Sequence, residues 1–186
     1  MIGYAMCGSY CTHSASLEQL KALAHSGSDI IGIVSENVYS TDTRFGKACD
    51  LINNIEEICG REVIHTIVDA EPLGPKIALE ALVICPCTGN TLAKLAAGIT
   101  DTAVCMAAKA HLRGDRPLVI ALASNDALSA NLKNIAALLT RKHVYFVPMR
   151  QDDPEKKPHS LVADFSLLEP TLEAALKGNQ YRKVFI

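Results

Sequence analysis

The sequence predicts an α/β fold, a single-domain Rossmann-like three-layer sandwich with a mostly parallel sheet, and three observations predict it. Short apolar runs rich in β-branched residues alternate with segments of helical periodicity along the 186 residues, the pattern of a sheet covered on both faces. No repeat or low-complexity stretch interrupts the alternation. The run Ala81-Leu82-Val83-Ile84-Cys85 leads through Pro86-Cys87-Thr88-Gly89-Asn90-Thr91 into a helical pattern. The carboxyl end of a parallel strand facing a helix N-terminus is where open α/β sheets bind ligands, because free N–H groups and the helix dipole favour an anion there.

Each element follows from its own residues. Met1 to Met6 reads as the first strand, then a turn at Gly8-Ser9-Tyr10-Cys11-Thr12-His13 and a helix with Leu17, Leu20, Leu23 and Ala24 inward. Ile30 to Val34 is the second strand, ended by Ser35, and a helix from Ala48 to Ile58 carries Leu51, Ile52, Ile55 and Ile58 at core spacing. A short third strand near Val63-Ile64 leads into a loop from Asp69 to Gly74. Ala81 to Cys85 is the fourth strand, and Pro86, with no N–H, is expected to end its ladder. Leu92, Leu95, Ala96 and Ile99 mark the next helix, with Thr88 or Asn90 as its cap. A helix from Thr102 to Leu112, a strand from Pro117 to Leu122, a helix from Leu128 to Leu139 and a strand from Val144 to Val147 follow. Beyond Pro148 the charged, proline-punctuated residues predict a polar loop or flap at about 149–163, then a C-terminal helix at about 166–177.

Composition narrows the function. The 18 basic and 20 acidic residues are scattered, and no basic cluster is interleaved with aromatics, which argues against nucleic acid as a partner. No run approaches the roughly 20 apolar residues of a membrane span. The first residues lack the basic flank and long apolar stretch of a signal peptide, so a cytoplasmic location is expected. The seven cysteines are odd in number and form neither CxxC pairs nor a zinc framework, so reduced thiols and no metal are expected. Cys11 and Cys87 fall in the predicted ligand loops.

Gly8-Ser9, Ser35, Pro86 to Thr91 with Lys94 and Asp101, and Asn125 with Asn131 together resemble the homo-oligomeric flavin-containing cysteine decarboxylase superfamily, a flavoprotein-type fold. The resemblance covers nearly the whole chain. It implies FMN held by Gly8, Ser9 and Ser35 at the phosphate and by Thr88, Gly89, Asn90, Thr91 and Asn125 around the ring and ribityl chain. It also implies a closed homo-oligomer, a trimer or a dodecamer.

Departures from that pattern separate the branches. Cysteine decarboxylases carry a catalytic histidine where this chain has Pro72, and His65 lies on another segment. Flavin prenyltransferases match from Pro86 to Pro148, yet Met106 stands at their prenyl-phosphate arginine and Ser124 at their acid–base glutamate. Methionine supplies no charge-assisted bonds to a phosphate. Ser40 to Gly46, Ala70 to Lys76, Met106 to Ala110, Ser124 to Leu128, and Gln151 to Pro154 through Lys157-Pro158 resemble more closely the B-subunit family of dipicolinate synthases.

That finer resemblance implies a partner, the A subunit of the synthase, with its own nucleotide-binding fold and the NAD(P) site. It implies oxidation of a dihydrodipicolinate-type intermediate of the lysine branch to dipicolinate, in the mother cell of a sporulating bacterium. A dicarboxylate substrate calls for cations, and Arg44, Lys76, Lys109 and Lys157 in the family-specific segments are the candidates, with Asn131 beside them and Arg44 foremost. The catalytic residue stays unassigned; Asp126 and His13 are the candidate proton acceptors. Two alternatives remain open: an FMN-binding, non-redox scaffold for the A subunit, and a flavin-dependent decarboxylase or prenyltransferase relative.

Overall fold

Parallel strands buried on both faces are apolar at nearly every position, and the computed structural model, which describes residues 1–186, bears this out. Strands β1 (Ile2–Met6), β2 (Ile30–Val34), β3 (Ala81–Cys87) and β4 (Leu118–Ser124) are buried at every residue. With β5 (Val144–Phe146), β6 (Met149–Arg150) and β7 (Leu161–Ala163) they form one seven-stranded sheet in the order β2-β1-β3-β4-β7-β6, with β5 also on β4. The pairs among β1 to β5 are parallel, and β7 joins β4 and β6 antiparallel.

Alternation along the strands builds two cores. Tyr4, Met6, Val83 and Val119 point to one face, against Leu20 and Leu23 of α1 (His13–His25), Ile52 and Ile55 of α3 (Ala48–Cys59), and Leu168 and Leu172 of α8 (Leu168–Leu176). Ala5, Ile33, Leu82, Ile84 and Ile120 point to the other. They meet Leu92 and Leu95 of α5 (Gly89–Ala97), Val104 and Ala108 of α6 (Ala103–Leu112), and Ile135 and Leu138 of α7 (Leu132–Leu139). Two short helices, α2 (Glu36–Ser40) and α4 (Ile67–Ala70), fill connections after β2 and before β3.

Several expectations are corrected. The ladder does not stop at Pro86: β3 runs through a cis Cys85–Pro86 peptide to Cys87, and the register shifts between Ile84 and Cys87 to absorb a residue with no N–H. The Pro86 carbonyl still accepts from Cys7 N at 3.1 Å. The strand expected at Val63-Ile64 shrinks to one bridge, Ile33 to Ile64, because Thr66 caps α4 by accepting from Asp69 N. Helix α7 starts at Leu132 rather than Leu128, since Ser129 N and Asn131 N both donate to Asp126 O at 3.1 Å and hold residues 128–131 in turns. The polar flap at 149–163 is a hairpin: its ends are β6 and β7, and its charged tip is tied by Lys157 to Asp152 at 2.7 Å and by Gln151 Nε2 to Pro158 O at 2.9 Å.

The outer edges are closed by local groups. Ile64 pairs with β2. Gln180 clasps β5, its Oε1 accepting from Phe146 N at 2.9 Å and its Nε2 donating to Phe146 O at 2.6 Å. Residues 184–186 line up on β6 through Met149 N to Val184 O and Ile186 N to Met149 O. Gly74, at φ +124°, lies so close to the Ala110 carbonyl that no side chain fits, which locks the turn before β3 onto α6.

Candidate functional site

A cleft of about 730 Å³ opens at the carboxyl ends of β1, β3 and β4, under the β6–β7 hairpin. Gly8, Ser9, Thr88, Gly89, Asn90 and Asn125 line it. A second cleft of about 380 Å³ continues past Gly8, Tyr10, Thr88 and Asn90, which line both, to Ser35, Thr91, Lys94 and Asp101. All eight residues expected to hold the cofactor therefore meet at one end of the sheet. Tyr10, which the sequence reading passes over, walls both clefts and a third of about 200 Å³ behind Phe45. Its position in the turn after β1 was the only available signal.

The loop after β3 is shaped by its own hydroxyls. Thr88 caps α5, accepting from Thr91 N at 3.2 Å and donating to Thr91 Oγ1 at 3.1 Å. Thr91 in turn donates to Cys7 Sγ at 3.3 Å, so it braces the loop rather than offering a free donor. The side-chain amides of Asn90 and Asn125 are exposed and make no protein hydrogen bond. Lys94 is bound to Asp101 at 2.9 Å across the mouth of the second cleft.

Whether these residues fit an anionic cofactor is decided by Ser35. Its Oγ is buried, lines the second cleft and has no hydrogen-bond partner. A buried hydroxyl left unmade costs about 1–3 kcal/mol, so the position calls for an acceptor from outside the chain. Gly8 adds to this: an added Cβ would meet only the Tyr10 ring, at 3.5 Å, so the fold itself does not demand glycine there. With the N-terminus of α5 beside them, these groups fit the phosphate and polar edge of FMN.

Arg44 lines the larger cleft, lies 4.8 Å from the centroid of Phe45 and pairs with no acid. Lys157 also lines it, but its charge is taken by Asp152. Lys76 and Lys109 are exposed and line neither cleft, Lys76 in the turn after α4 and Lys109 on the outer side of α6. Asn131 lines neither cleft either. It is buried, and its Nδ2 donates to both Asp126 oxygens at 2.9 Å. Pro72, at the decarboxylase histidine's place, sits in the same turn as Lys76, its carbonyl accepting from Lys76 N and Ile77 N at 3.0 Å.

The two candidate proton acceptors part company. His13 is buried, its Nε2 bonded to Cys7 O at 2.8 Å, and burial holds its pKa below the usual value. It is structural. Asp126 lines the larger cleft, and hydrogen bonds from Ser124 and Asn131 hold its carboxyl below the usual carboxylate range. Such a group is an ionised acceptor and a poor base near neutrality. His65 stacks on Tyr39 with ring centroids 3.7 Å apart. Every cysteine is a free thiol. Cys87 is corrected from loop to strand: it is fully buried in β3, where burial raises its pKa well above the ordinary value. Cys11 is exposed at the larger cleft.

No helix is long and apolar enough to cross a membrane. The Flavoprotein family model matches residues 2–165. The B subunit of dipicolinate synthase of Bacillus subtilis strain 168 is 44% identical over 185 residues, spanning 100% of this chain and 92% of that protein. The crystal structure of the dipicolinate synthase B subunit from Bacillus halodurans has a TM-score of 0.91 at 43% identity, over 100% of this chain and 95% of that one. An FMN-dependent cysteine decarboxylase shares the fold, with a TM-score of 0.69 at 23% identity over 94% of this chain and 95% of that one. A cleft that fits FMN at the carboxyl ends of a parallel sheet, with full-length similarity of this order, places the chain in the flavoprotein family, on the branch that holds the dipicolinate synthase B subunits.

Proposed function

We propose that this chain binds FMN across the two joined clefts and works as the B subunit of a dipicolinate synthase. With the A subunit it would oxidise a dihydrodipicolinate-type intermediate of the lysine branch to dipicolinate, in the mother-cell cytoplasm during sporulation. The observation that carries the FMN part is Ser35 Oγ, a buried donor without an acceptor beside the capped N-terminus of α5. The similarity to the two dipicolinate synthase B subunits supports the reaction.

The residues divide the work by chemistry. Ser9 and Ser35 donate to the phosphate, Gly8 leaves its backbone open to it, and Asn90 and Asn125 present amides that can both donate and accept. Arg44 forms a charge-assisted pair with a substrate carboxylate. When bound, FMN supplies hydride-accepting chemistry at this site; NAD(P) belongs to the A subunit. A closed homo-oligomer, a trimer or a dodecamer, is the assembly we propose, in keeping with the closed symmetry of most homo-oligomers.

One observation favours a second reading, in which the chain is a non-redox scaffold that shapes the substrate pocket of the A subunit: no imidazole or neutral carboxyl in the larger cleft is tuned to take a proton near pH 7. An FMN titration of the purified chain, repeated with the A subunit and substrate while following dipicolinate absorbance, separates the two. Stoichiometric FMN that bleaches on anaerobic addition of substrate supports the redox role. Dipicolinate formed only with both proteins present, and without FMN, leaves the scaffold.

A further inference from the structure

The turn Thr43-Arg44-Phe45-Gly46 brings two neighbouring side chains, a cation and an aromatic ring, to the larger cleft. Thr43 N donates to Gly46 O at 3.0 Å and Gly46 N to Thr43 O at 3.1 Å, so Arg44 and Phe45 form the tip of a two-residue hairpin. Phe45 N donates to Thr43 Oγ1 at 3.1 Å. The root of this arm is tied to α3, where Asp42 Oδ1 accepts from the N–H of Ala48, the first helical residue, at 2.8 Å. The tip therefore stands on a fixed backbone.

Burial does not account for Phe45, which is 54% exposed. Its ring lines both the larger cleft and the cavity of about 200 Å³ that Tyr10, Leu17 and Leu51 wall behind it. The guanidinium carbon of Arg44 stands 4.8 Å from the ring centroid, within the reach of a cation–π contact. Arg44 forms no ion pair, so this ring is the partner that its charge has in the chain. An arginine side chain free in water visits many rotamers, and gripping a carboxylate with both prongs requires freezing most of them. Stacking occupies a face of the guanidinium and leaves its N–H edge for a carboxylate.

We propose that Phe45 is a positioning residue for the substrate carboxylate: its ring holds the Arg44 guanidinium by one face, so that the fork is ordered before a carboxylate arrives. This rests on the reading above that Arg44 pairs with a substrate carboxylate, and adds what orders it. A binding group that is competent only part of the time weakens the apparent affinity by that fraction, and the ring removes this loss.

Calorimetric titration of the full chain, with FMN present, uses pyridine-2,6-dicarboxylate as the probe. Phe45→Leu is expected to weaken binding about two- to fivefold, the worth of a cation–π contact at an exposed site. Phe45→Trp should hold the affinity or raise it, because indole is the better partner for a cation and the cavity behind the ring leaves room for it. In an Arg44→Gln background Phe45→Leu should have no further effect, since the ring then has no cation to hold. Equal weakening by Phe45→Leu in both backgrounds overturns the assignment, by placing the ring on the ligand itself. A loss in Phe45→Trp as large as that in Phe45→Leu also overturns it, because shape rather than the π-face would then matter. If the diacid does not bind, or binds Arg44→Gln unchanged, the carboxylate reading of Arg44 fails and the role of Phe45 with it. If Arg44→Gln weakens binding and Phe45→Leu does not, only the role of Phe45 fails.

Discussion

Gly89, at the start of α5, stands so close to Ser124 at the end of β4 that no side chain fits between them. The ligand loop and the end of the strand that leads into Asp126 are thereby keyed to each other. Gly89→Ala is expected to lower stability by about 1–3 kcal/mol through overpacking, read as a lower urea midpoint at unchanged slope. An unchanged midpoint would show that Ser124 and Asn131 can retreat.

Ser35→Ala removes a buried hydroxyl that no protein group satisfies. The ligand-free melting temperature should hold or rise slightly, while FMN binds about fivefold more weakly or worse, since one hydrogen bond is worth about 1 kcal/mol. Fluorescence titration reads the affinity. Wild-type affinity in this variant would remove Ser35 from the cofactor site.

Thr88 is both cap and loop brace. Thr88→Ala should cost about 1 kcal/mol from the lost cap, and Thr88→Ser should recover most of it. Urea denaturation of the pair decides; equal losses in both would point to the methyl group rather than the hydroxyl.

Thiol reactivity separates the cysteines. Burial pushes Cys7 up to about 12 and Cys85 to about 11 and raises Cys87 well above the ordinary value, whereas Cys11 and Cys49 are exposed. Thiolates are the reacting species. A native disulfide-exchange reagent should modify Cys11 and Cys49 quickly and Cys7, Cys85 and Cys87 only on unfolding. FMN or a diacid should protect Cys11 and leave Cys49 unchanged; equal protection of both would place the ligand elsewhere.

Two buried imidazoles set an acid limit. His13 and His111 are held below the ordinary histidine value, burial being the main cause. Well above pH 6.5, the ordinary histidine value, neither folded nor unfolded histidine binds the proton and stability does not depend on it. Below that the unfolded chain takes up protons that the folded chain refuses, so stability falls as pH drops toward the lowered folded values. The melting temperature should decline between pH 7 and pH 5. His111→Gln, which can still donate to Pro117 O as Nε2 does at 2.9 Å, should flatten the decline, and an unchanged slope would assign it to other groups.

Much of this was legible in the sequence, and for identifiable reasons. Strands such as Ile30–Val34 and Ala81 to Cys85 announce themselves because burial on both faces demands continuous apolar runs. Thr88 was legible as a cap because its spacing to the apolar positions of α5 is local information. Helices α2 and α4 span only five and four residues, too few to show a period. Strand β7 was hidden by its three residues beside a charged tip. Pro86 misled because local chemistry says that proline ends a ladder, while its neighbours in β1 and β4 supply the pairing that carries β3 past it. At the site, residue type put Arg44 foremost but kept Lys76 and Lys109 beside it, and offered Asp126 as a candidate proton acceptor. Only the fold separates those that face the cleft from those that face solvent.

Ile64, Gln180 and residues 184–186 each occupy part of a border of the sheet, which shortens the rows of backbone donors and acceptors that a foreign strand could zip onto. A partner that continued the sheet would find only short, interrupted stretches of edge, whereas helices and loops offer the broader surface. Interrupted edges of this kind work against the strand-to-strand growth that ends in fibres.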